Sequence, residues 1–192
     1  MIHPIELESY RILTDRIDLS HLSVGVRAVV ERVIHGSADL EYATTMVVDD
    51  GAVARGLVAI KAGAPVITDV EMTRAGITGV DAQCFLADAR ATADLTRSAA
   101  AIQAAALTHP DGAIFVIGCA PTALVELVHR YQAGDVRPAL VIGMPVGFVG
   151  AAESKELARR TAGLPTITNI GEKGGSAVAA AAFNALHRLA TT

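Results

Sequence analysis

Residues 139–161 read ALVIGMPVGFVGAAESKELARRT, and this stretch decides the fold. A short apolar run, 139–142, precedes a glycine-rich loop, 143–150, and a segment of helical composition, 153–161. Glycine has no side chain that could collide, so glycines alternating with apolar residues favour close backbone approach. We therefore predict a strand, a tight connection and a helix. The loop then lies at the carboxyl end of the strand, where open α/β sheets bind ligands.

The loop 143–150 by itself leaves two interpretations open. Either it lines a ligand site, or it is a tightly packed connection that binds nothing. Its three glycines, Gly143, Gly147 and Gly150, match neither the dinucleotide pattern GxGxxG nor the phosphate pattern GxxxxGK[ST]. The loop therefore does not indicate a nucleotide.

Outward from this stretch, short apolar runs alternate with helical segments. The predicted strands are 45–48, 65–68, 83–86, 113–117, 140–142 and 166–170. The predicted helices are 5–15, 21–35, 52–62, 97–107, 123–132, 153–161 and one from the loop 171–176 to 189, with a short turn or helix at 70–75. This alternation predicts an α/β fold, a three-layer α/β/α arrangement with a mostly parallel central sheet, plus N-terminal helices.

The two N-terminal helices carry more detailed predictions. In the first, we expect Ile5, Tyr10 and either Ile12 or Leu13 to face inward. For the second, Ser20 is expected to cap the start and Gly36 to end the helix, because serine and glycine favour these positions.

Length and composition bound the class of protein. The chain has 192 residues, of which 52% are hydrophobic, and residues 1–192 suit a single domain. The formal net charge of −4 argues against a sequence-independent nucleic-acid binder. No apolar run reaches the roughly 18 residues of a membrane span, and the N-terminus lacks a signal pattern. We expect a cytoplasmic protein that is not bound to a membrane.

The two cysteines, Cys84 and Cys119, lie far apart in the sequence. They fit neither a disulfide framework nor a CxxC metal pattern. We expect each to be a small buried residue in a reducing compartment.

His35 is the histidine that stands out among the six in the chain. It lies in the last turn of the predicted second helix, one turn after Arg32. One interpretation is a histidine stabilised by the negative end of the helix dipole. The other is an imidazole that moves a proton beside a cationic anchor. No second ligand stands at metal-binding spacing, so we predict no metal site.

Two predicted helix starts could bind anions. Thr96, Arg97 and Ser98 open one helix, where an arginine stands beside free backbone N–H groups. The loop 171–176, GEKGGS, opens another and includes Lys173. Each could equally be an ordinary solvated helix start or glycine turn. The acidic residues near strand ends, Asp69 among them, receive no acid/base role.

Several motifs together resemble one known family, the precorrin-8X methylmutases (cobalt-precorrin-8 methylmutases) of cobalamin biosynthesis. GMPVGFVGAAESK at 143–155 is similar to the signature of that family. In the same order as in the family, the chain contains RVIH at 32–35, KAGAP at 61–65, D-x-E-M at 69–72, TRSAAA at 96–101, APTAL at 120–124 and GGSA at 174–177.

The resemblance implies an isomerase that moves a methyl group between adjacent ring-C carbons of a corrin precursor. It would convert precorrin-8X to hydrogenobyrinate, or the cobalt-containing equivalent to cobyrinate, without a cofactor. His35 would be the catalytic acid or base in a homodimer with active sites at the subunit interface. The substrate, a polycarboxylate tetrapyrrole, would be bound by Ser9, Arg32, Thr96, Arg97, Ser98, Gly147, Gly175 and Ser176.

Two other functions compete with this interpretation. One is a carrier that binds a tetrapyrrole without catalysis. The other is a nucleotide-binding α/β enzyme, which the fold alone would allow. Substitution of His35 separates an enzyme from a carrier, because only the enzyme should lose turnover while it still binds product.

Overall fold

The computed structural model describes residues 3–192, which form nine helices and six strands. Residues 1 and 2 of the predicted domain lie outside this range. The helices are α1 (Pro4–Arg16), α2 (Val24–Ser37), α3 (Tyr42–Thr45), α4 (Asp50–Lys61), α5 (Glu71–Gly76), α6 (Arg97–Thr108), α7 (Pro121–Ala133), α8 (Ala151–Arg160) and α9 (Ser176–Thr191). The strands are β1 (Met46–Val47), β2 (Val66–Thr68), β3 (Gln83–Cys84), β4 (Ile114–Ile117), β5 (Leu140–Gly143) and β6 (Thr166–Asn169).

The strands form one sheet in the order β1-β6-β5-β4-β2-β3. Every neighbouring pair is parallel except β1 and β6, which are antiparallel. All residues of β4 and β5 are buried. Strands covered on both faces are apolar throughout rather than alternating, because neither face meets water. The structure therefore confirms the predicted α/β class with a mostly parallel sheet.

Helices cover both faces of the sheet. Alternate strand residues point to opposite faces, so Ile114 and Val116 of β4 pack in one core while Phe115 and Ile117 pack in the other. The first core is shared with α2, α4 and α9, and the second with α6, α7 and α8. This confirms the predicted three layers.

The alanine-rich helix α9 packs close to the sheet because its inward side chains are small. Ala179, Ala182 and Phe183 are completely buried. At Gly118, just after β4, a Cβ atom would lie 2.7 Å from the Cα of Ser176. Only glycine permits this approach, which brings the start of α9 against the end of β4.

The boundaries predicted for α2 are wrong at both ends. Ser20 lies in a turn in which its N–H donates to Asp18 Oδ1, so the helix begins later. Its cap is Ser23, whose Oγ accepts from the N–H of Val26. Gly36 lies inside the helix, where its missing Cβ leaves room for Ala181 of α9, and the chain leaves the helix at Ala38, with φ 54°.

Some predictions about buried residues are also wrong. Ile5 of α1, which was expected to face inward, is 73% exposed. Of the two alternatives Ile12 and Leu13, Leu13 is buried, so that prediction is confirmed. Helix α1 contacts mainly α2, and its side chain Ile5 stays exposed. Cys119 is exposed and Cys84 partly buried, so neither is a fully buried residue. Across residues 3–192, no helix has the length and apolar character that a membrane span requires.

Candidate active site

The parallel strands β2, β4, β5 and β6 end at one edge of the sheet, which we call the carboxyl edge. The loops that follow these strands begin at Asp69, Gly118, Met144 and Ile170. They contain the GCAPT, GMPVGFVG and GEKGGS sequences, which are far apart along the chain. Parallel pairing gathers them, because every strand in such a sheet ends on the same side.

Asp69, at the end of β2, organises part of this edge. Its carboxylate is completely buried and accepts from the backbone N–H groups of Gly118, Cys119 and Ala120, at 3.1, 2.8 and 2.8 Å. A carboxylate in a ring of N–H donors is a strong anchor for a loop, because hydrogen bonds to charged groups are the stronger ones. Asp69 thus positions the start of α7. No acid/base role was expected of Asp69, although its position directly after a buried strand is a signal of such an anchor.

The loops 143–150 and 170–176 are bonded to each other by their backbones. The N–H of Gly175 donates to the Met144 carbonyl at 2.9 Å, and the N–H of Gly147 donates to the Glu172 carbonyl at 3.2 Å. Beside these bonds, Phe148 and Val149 are 91% and 88% exposed. The paired loops therefore present a rigid backbone with apolar side chains at the carboxyl edge, a surface suited to an apolar ligand.

Lys155 lies beneath the paired loops. No role was predicted for it from the sequence. Its side chain is 1% exposed, and Nζ donates to the carbonyl of Lys173 at 2.6 Å and to Asn169 Oδ1 at 3.3 Å. Burial lowers the pKa of Lys155 to about 8, because the charged form is poorly solvated there. The lysine of the GAAESK sequence thus holds the loop 170–176 from below.

The lowered pKa of Lys155 predicts a pH-dependent stability. Between pH 8 and 10.5 the unfolded chain binds the Lys155 proton and the folded chain has released it, so the free energy of unfolding rises with pH in this window. Across this pH window, the release of the Lys155 proton raises the free energy of unfolding by about 3 kcal/mol. Urea unfolding of the wild type and of Lys155→Met from pH 7.5 to 10.5 should show it, with stability rising more steeply in the wild type. Parallel curves would contradict the prediction, and a lysine Cε NMR titration of the wild type gives an independent midpoint.

His35 lies in the last turn of α2 and faces α1. Its Nδ1 lies 2.8 Å from the hydroxyl oxygen of Ser9, and its ring stacks on Tyr10 with centroids 4.9 Å apart and an interplanar angle of 12°. Within residues 3–192, no group hydrogen-bonds its Nε2. The imidazole is therefore oriented on one side, while its second nitrogen is left to a ligand.

Arg32 lies one turn before His35 on α2. Its Nη1 donates to Glu6 Oε1 at 3.0 Å, and Arg188 of α9 donates to the same oxygen at 2.8 Å. The structure thus brings Ser9, Arg32 and His35 together, and it adds Glu6 and Arg188 to them.

Salt bridges connect the end of α2 to the carboxyl edge. Lys173, in the loop 170–176, pairs with Asp39 at 2.7 Å and with Glu41 at 2.6 Å. Both acidic residues follow within six positions of His35. The charge of Lys173 is therefore balanced inside the chain, and the segment after His35 is held beside the paired loops.

Thr96, Arg97 and Ser98 begin α6. Thr96 caps the helix by accepting from the N–H of Ala99, and its hydroxyl oxygen lies 2.7 Å from that of Thr122 at the start of α7. The guanidinium of Arg97 donates twice to the Leu86 carbonyl, at 3.0 and 2.8 Å. Thr96 and Arg97 are exposed and Ser98 is partly buried.

Ser176, the first residue of α9, points into the protein. It is 8% exposed, and its hydroxyl oxygen lies 3.0 Å from that of Thr73. No side chain in the described part of the chain caps α9. The first backbone N–H groups of a helix have no partner inside the helix, so those of α9 remain a feature that favours an anion.

These features define a class of protein. It is an α/β protein with a candidate ligand surface along the carboxyl edge and an oriented histidine at the end of a neighbouring helix. The family model of precorrin-8X methylmutase matches residues 4–189. The chain belongs to the precorrin-8X methylmutase family, whose members are isomerases of cobalamin biosynthesis. The resemblance in the motifs is thereby confirmed.

Known relatives match over nearly their whole length. The cobalt-precorrin-8 methylmutase of Priestia megaterium is 39% identical over 197 aligned residues, covering 97% of this chain and 87% of the relative. The precorrin-8X methylmutase of a Sinorhizobium species is 38% identical and covers 94% and 91%. The crystal structure of precorrin-8X methyl mutase from Thermus thermophilus superposes with a TM-score of 0.87 at 39% identity, covering 98% of both chains.

Proposed function

We propose that this chain catalyses a methyl shift between adjacent ring-C carbons of precorrin-8X or its cobalt-containing equivalent, giving hydrogenobyrinate or cobyrinate. The observation that carries the proposal is the oriented imidazole of His35, bonded to Ser9 and stacked on Tyr10, in a chain of the methylmutase family. An isomerisation leaves the composition of its substrate unchanged. The protein therefore needs to bind the macrocycle, orient it and relocate a proton.

His35 is the proton-transfer residue in this proposal, acting through Nε2. A serine hydroxyl both donates and accepts hydrogen bonds, so Ser9 supports either tautomer of the ring. When Nδ1–H of the neutral ring donates to Ser9, Nε2 is free to accept a proton as a base. The imidazolium formed in this way carries protons on both nitrogens and returns the Nε2 proton as an acid, while Nδ1–H still donates to Ser9. The Ser9 contact therefore persists in both states, and Tyr10 keeps the ring plane constant while the proton moves.

The carboxyl edge supplies the remaining substrate contacts in this proposal. A corrin precursor is a broad apolar macrocycle rimmed by carboxylates, which suits the exposed apolar side chains of the loop 143–150. Gly147 and Gly175 let the backbone approach the macrocycle, since both have positive φ and open space where a Cβ would lie. The peripheral carboxylates would be bound by Arg32, Thr96, Arg97, Ser98 and the N–H group of Ser176.

Arg97 needs a rearrangement to take this role. Its guanidinium now donates to the Leu86 carbonyl, a neutral acceptor. A substrate carboxylate is a stronger acceptor than a carbonyl, because charge-assisted hydrogen bonds are roughly twice as strong. The side chain is exposed, so its exchange of partners requires no repacking.

We also propose a homodimer with active sites at the interface. Ile5 and Ile12 of α1 are exposed on the helix that supplies Ser9, so a second subunit covering them would border the site. Residues 1–192 are taken as one domain, supported by the single sheet with cores on both faces. The cytoplasmic location remains a prediction.

Visible absorption spectroscopy of the purified protein tests the proposed function. Precorrin-8X added to the wild type should be converted to hydrogenobyrinic acid, and hydrogenobyrinic acid should bind with a perturbed corrin spectrum. A carrier would bind the product without converting precorrin-8X. No spectral change at micromolar protein together with no conversion would overturn the proposed function.

A further inference from the structure

Glu6 bridges two arginines that come from different helices. Its Oε1 accepts from Arg32 of α2 and from Arg188 of α9, at 3.0 and 2.8 Å. The hydrogen bond from Arg188 holds the pKa of Glu6 below its ordinary value, so the side chain is an anion at neutral pH. Two convergent guanidinium groups around one carboxylate form a carboxylate-binding site, occupied here by the protein's own side chain.

The helix that supplies Glu6 is weakly attached to the rest of the protein. Leu13 is the one fully buried side chain of α1. Among the described residues, the hydrogen bonds, ion pairs and ring stacking between α1 and the rest of the protein run from Glu6 to Arg32 and Arg188 and from Ser9 and Tyr10 to His35. Partly exposed ion pairs such as these contribute only about 1 kcal/mol each. A ligand carboxylate that reaches Arg32 and Arg188 therefore meets ion pairs of Glu6 that are easily exchanged.

A cavity of about 570 Å³ adjoins the Glu6 bridge, within the usual size of small-molecule sites. Its lining includes Glu6, Tyr10, Arg32, His187 and Arg188. Tyr10 stacks on His35, so one side chain separates the cavity from the imidazole. Glu31 also lines it, but burial raises the pKa of Glu31, and Arg27 lies 3.7 Å away.

We propose that Arg188, together with Arg32, binds a peripheral carboxylate of the substrate, and that Glu6 occupies this position in the free protein and is displaced on binding. This inference rests on the proposed function and adds Arg188 and Glu6 to it. One carboxylate replaces another between the same two guanidinium groups, so the charge around Arg32 and Arg188 stays balanced. The exchange breaks the ion pair between Glu6 of α1 and Arg188 of α9, while Ser9 and Tyr10 keep their contacts with His35.

Product binding by charge-neutral variants tests this inference. Hydrogenobyrinic acid would be titrated by visible absorption into the wild type, Glu6→Gln, Arg188→Gln and the double variant, with Glu8→Gln as the matched control. Glu8 lies on the same helix, and its partner among residues 3–192 is Arg11. Removal of the competing charge should make Glu6→Gln bind roughly fivefold more tightly. Arg188→Gln should bind the product about tenfold more weakly. The double variant should not show the tighter binding expected of Glu6→Gln.

A purely structural bridge gives a different result. Glu6→Gln and Arg188→Gln would then both lower the unfolding temperature and neither would bind more tightly than the wild type, which would overturn the inference. A product with its peripheral carboxylates converted to amides supplies a second measurement, since Arg188→Gln should leave its affinity unchanged. If the wild type turns over precorrin-8X but Glu6→Gln binds no more tightly, only this inference fails. If the wild type neither turns over nor binds, the proposed function fails with it.

Discussion

Replacing His35 with alanine is expected to lower turnover by roughly 10²- to 10⁴-fold, the usual contribution of a positioned acid or base. The substitution removes the nitrogen that we propose transfers the proton and leaves the side chains of the carboxyl edge unchanged. Binding of hydrogenobyrinic acid should therefore change only a few-fold. Single-turnover conversion of precorrin-8X and an absorption titration with the product measure the two quantities separately.

Two further variants make the His35 result specific. His129 is an exposed histidine on α7, so His129→Ala should retain wild-type turnover. Ser9→Ala keeps the imidazole but removes its 2.8 Å contact, and turnover should fall about tenfold, as when an orienting partner is lost. If His35→Ala turns over at the wild-type rate, His35 is only a residue at a helix end and the proposed mechanism is wrong.

Replacing Gly174 with alanine is expected to destabilise the protein by about 3 kcal/mol. A Cβ at this position would lie 2.6 Å from the Pro145 carbonyl oxygen and closer still to that of Met144. Both obstacles are backbone atoms, which cannot rotate away as a side chain would. The loops 143–150 and 170–176 must therefore separate, and the bond from the Gly175 N–H to the Met144 carbonyl is lost. Urea unfolding measures the destabilisation, and product affinity should fall in parallel.

Gly171→Ala is the matched control for Gly174→Ala. Gly171 belongs to the same loop and has φ +86°, but nothing lies within 4 Å of the position of its Cβ. Alanine at this position should destabilise the protein only through the strain of its left-handed backbone conformation, by about 1 kcal/mol. If the two variants lose the same free energy of unfolding, the close approach at Gly174 is contradicted. Backbone strain alone would then explain both losses.

The order of the strands and helices was predictable from local patterns. The run 140–142, the apolar stretch 113–117 and the helices after them each reveal their type within a few residues, because burial on both faces selects continuous apolar runs. Family motifs similarly picked out Arg32 and His35. The boundaries of α2 were not predictable in this way. Ser20 and Ser23 are equally good caps locally, and the turn formed with Asp18 decides between them.

The partners of the site residues lie outside any local pattern. Asp69 receives N–H groups from about 50 positions later in the chain, and Glu6 meets Arg188 from the opposite end. The charged residues around Lys155 in the sequence favour an exposed lysine, yet Lys155 is buried beneath the loop 170–176. Polarity predicts exposure on average, and a buried polar group is possible only where distant atoms satisfy it.

The sequence by itself determined the α/β class, the order of the elements and membership of the methylmutase family, because apolar periodicity and contiguous motifs are local properties. Only the tertiary structure decided that Ser9 and Tyr10 orient His35, that Glu6 occupies the space between Arg32 and Arg188, and that Lys155 supports the paired loops. The physical reason is that each of these contacts joins segments brought together by the packing of α1, α2 and α9 and by the parallel sheet. A hydrogen bond depends on a few tenths of an ångström in such packing.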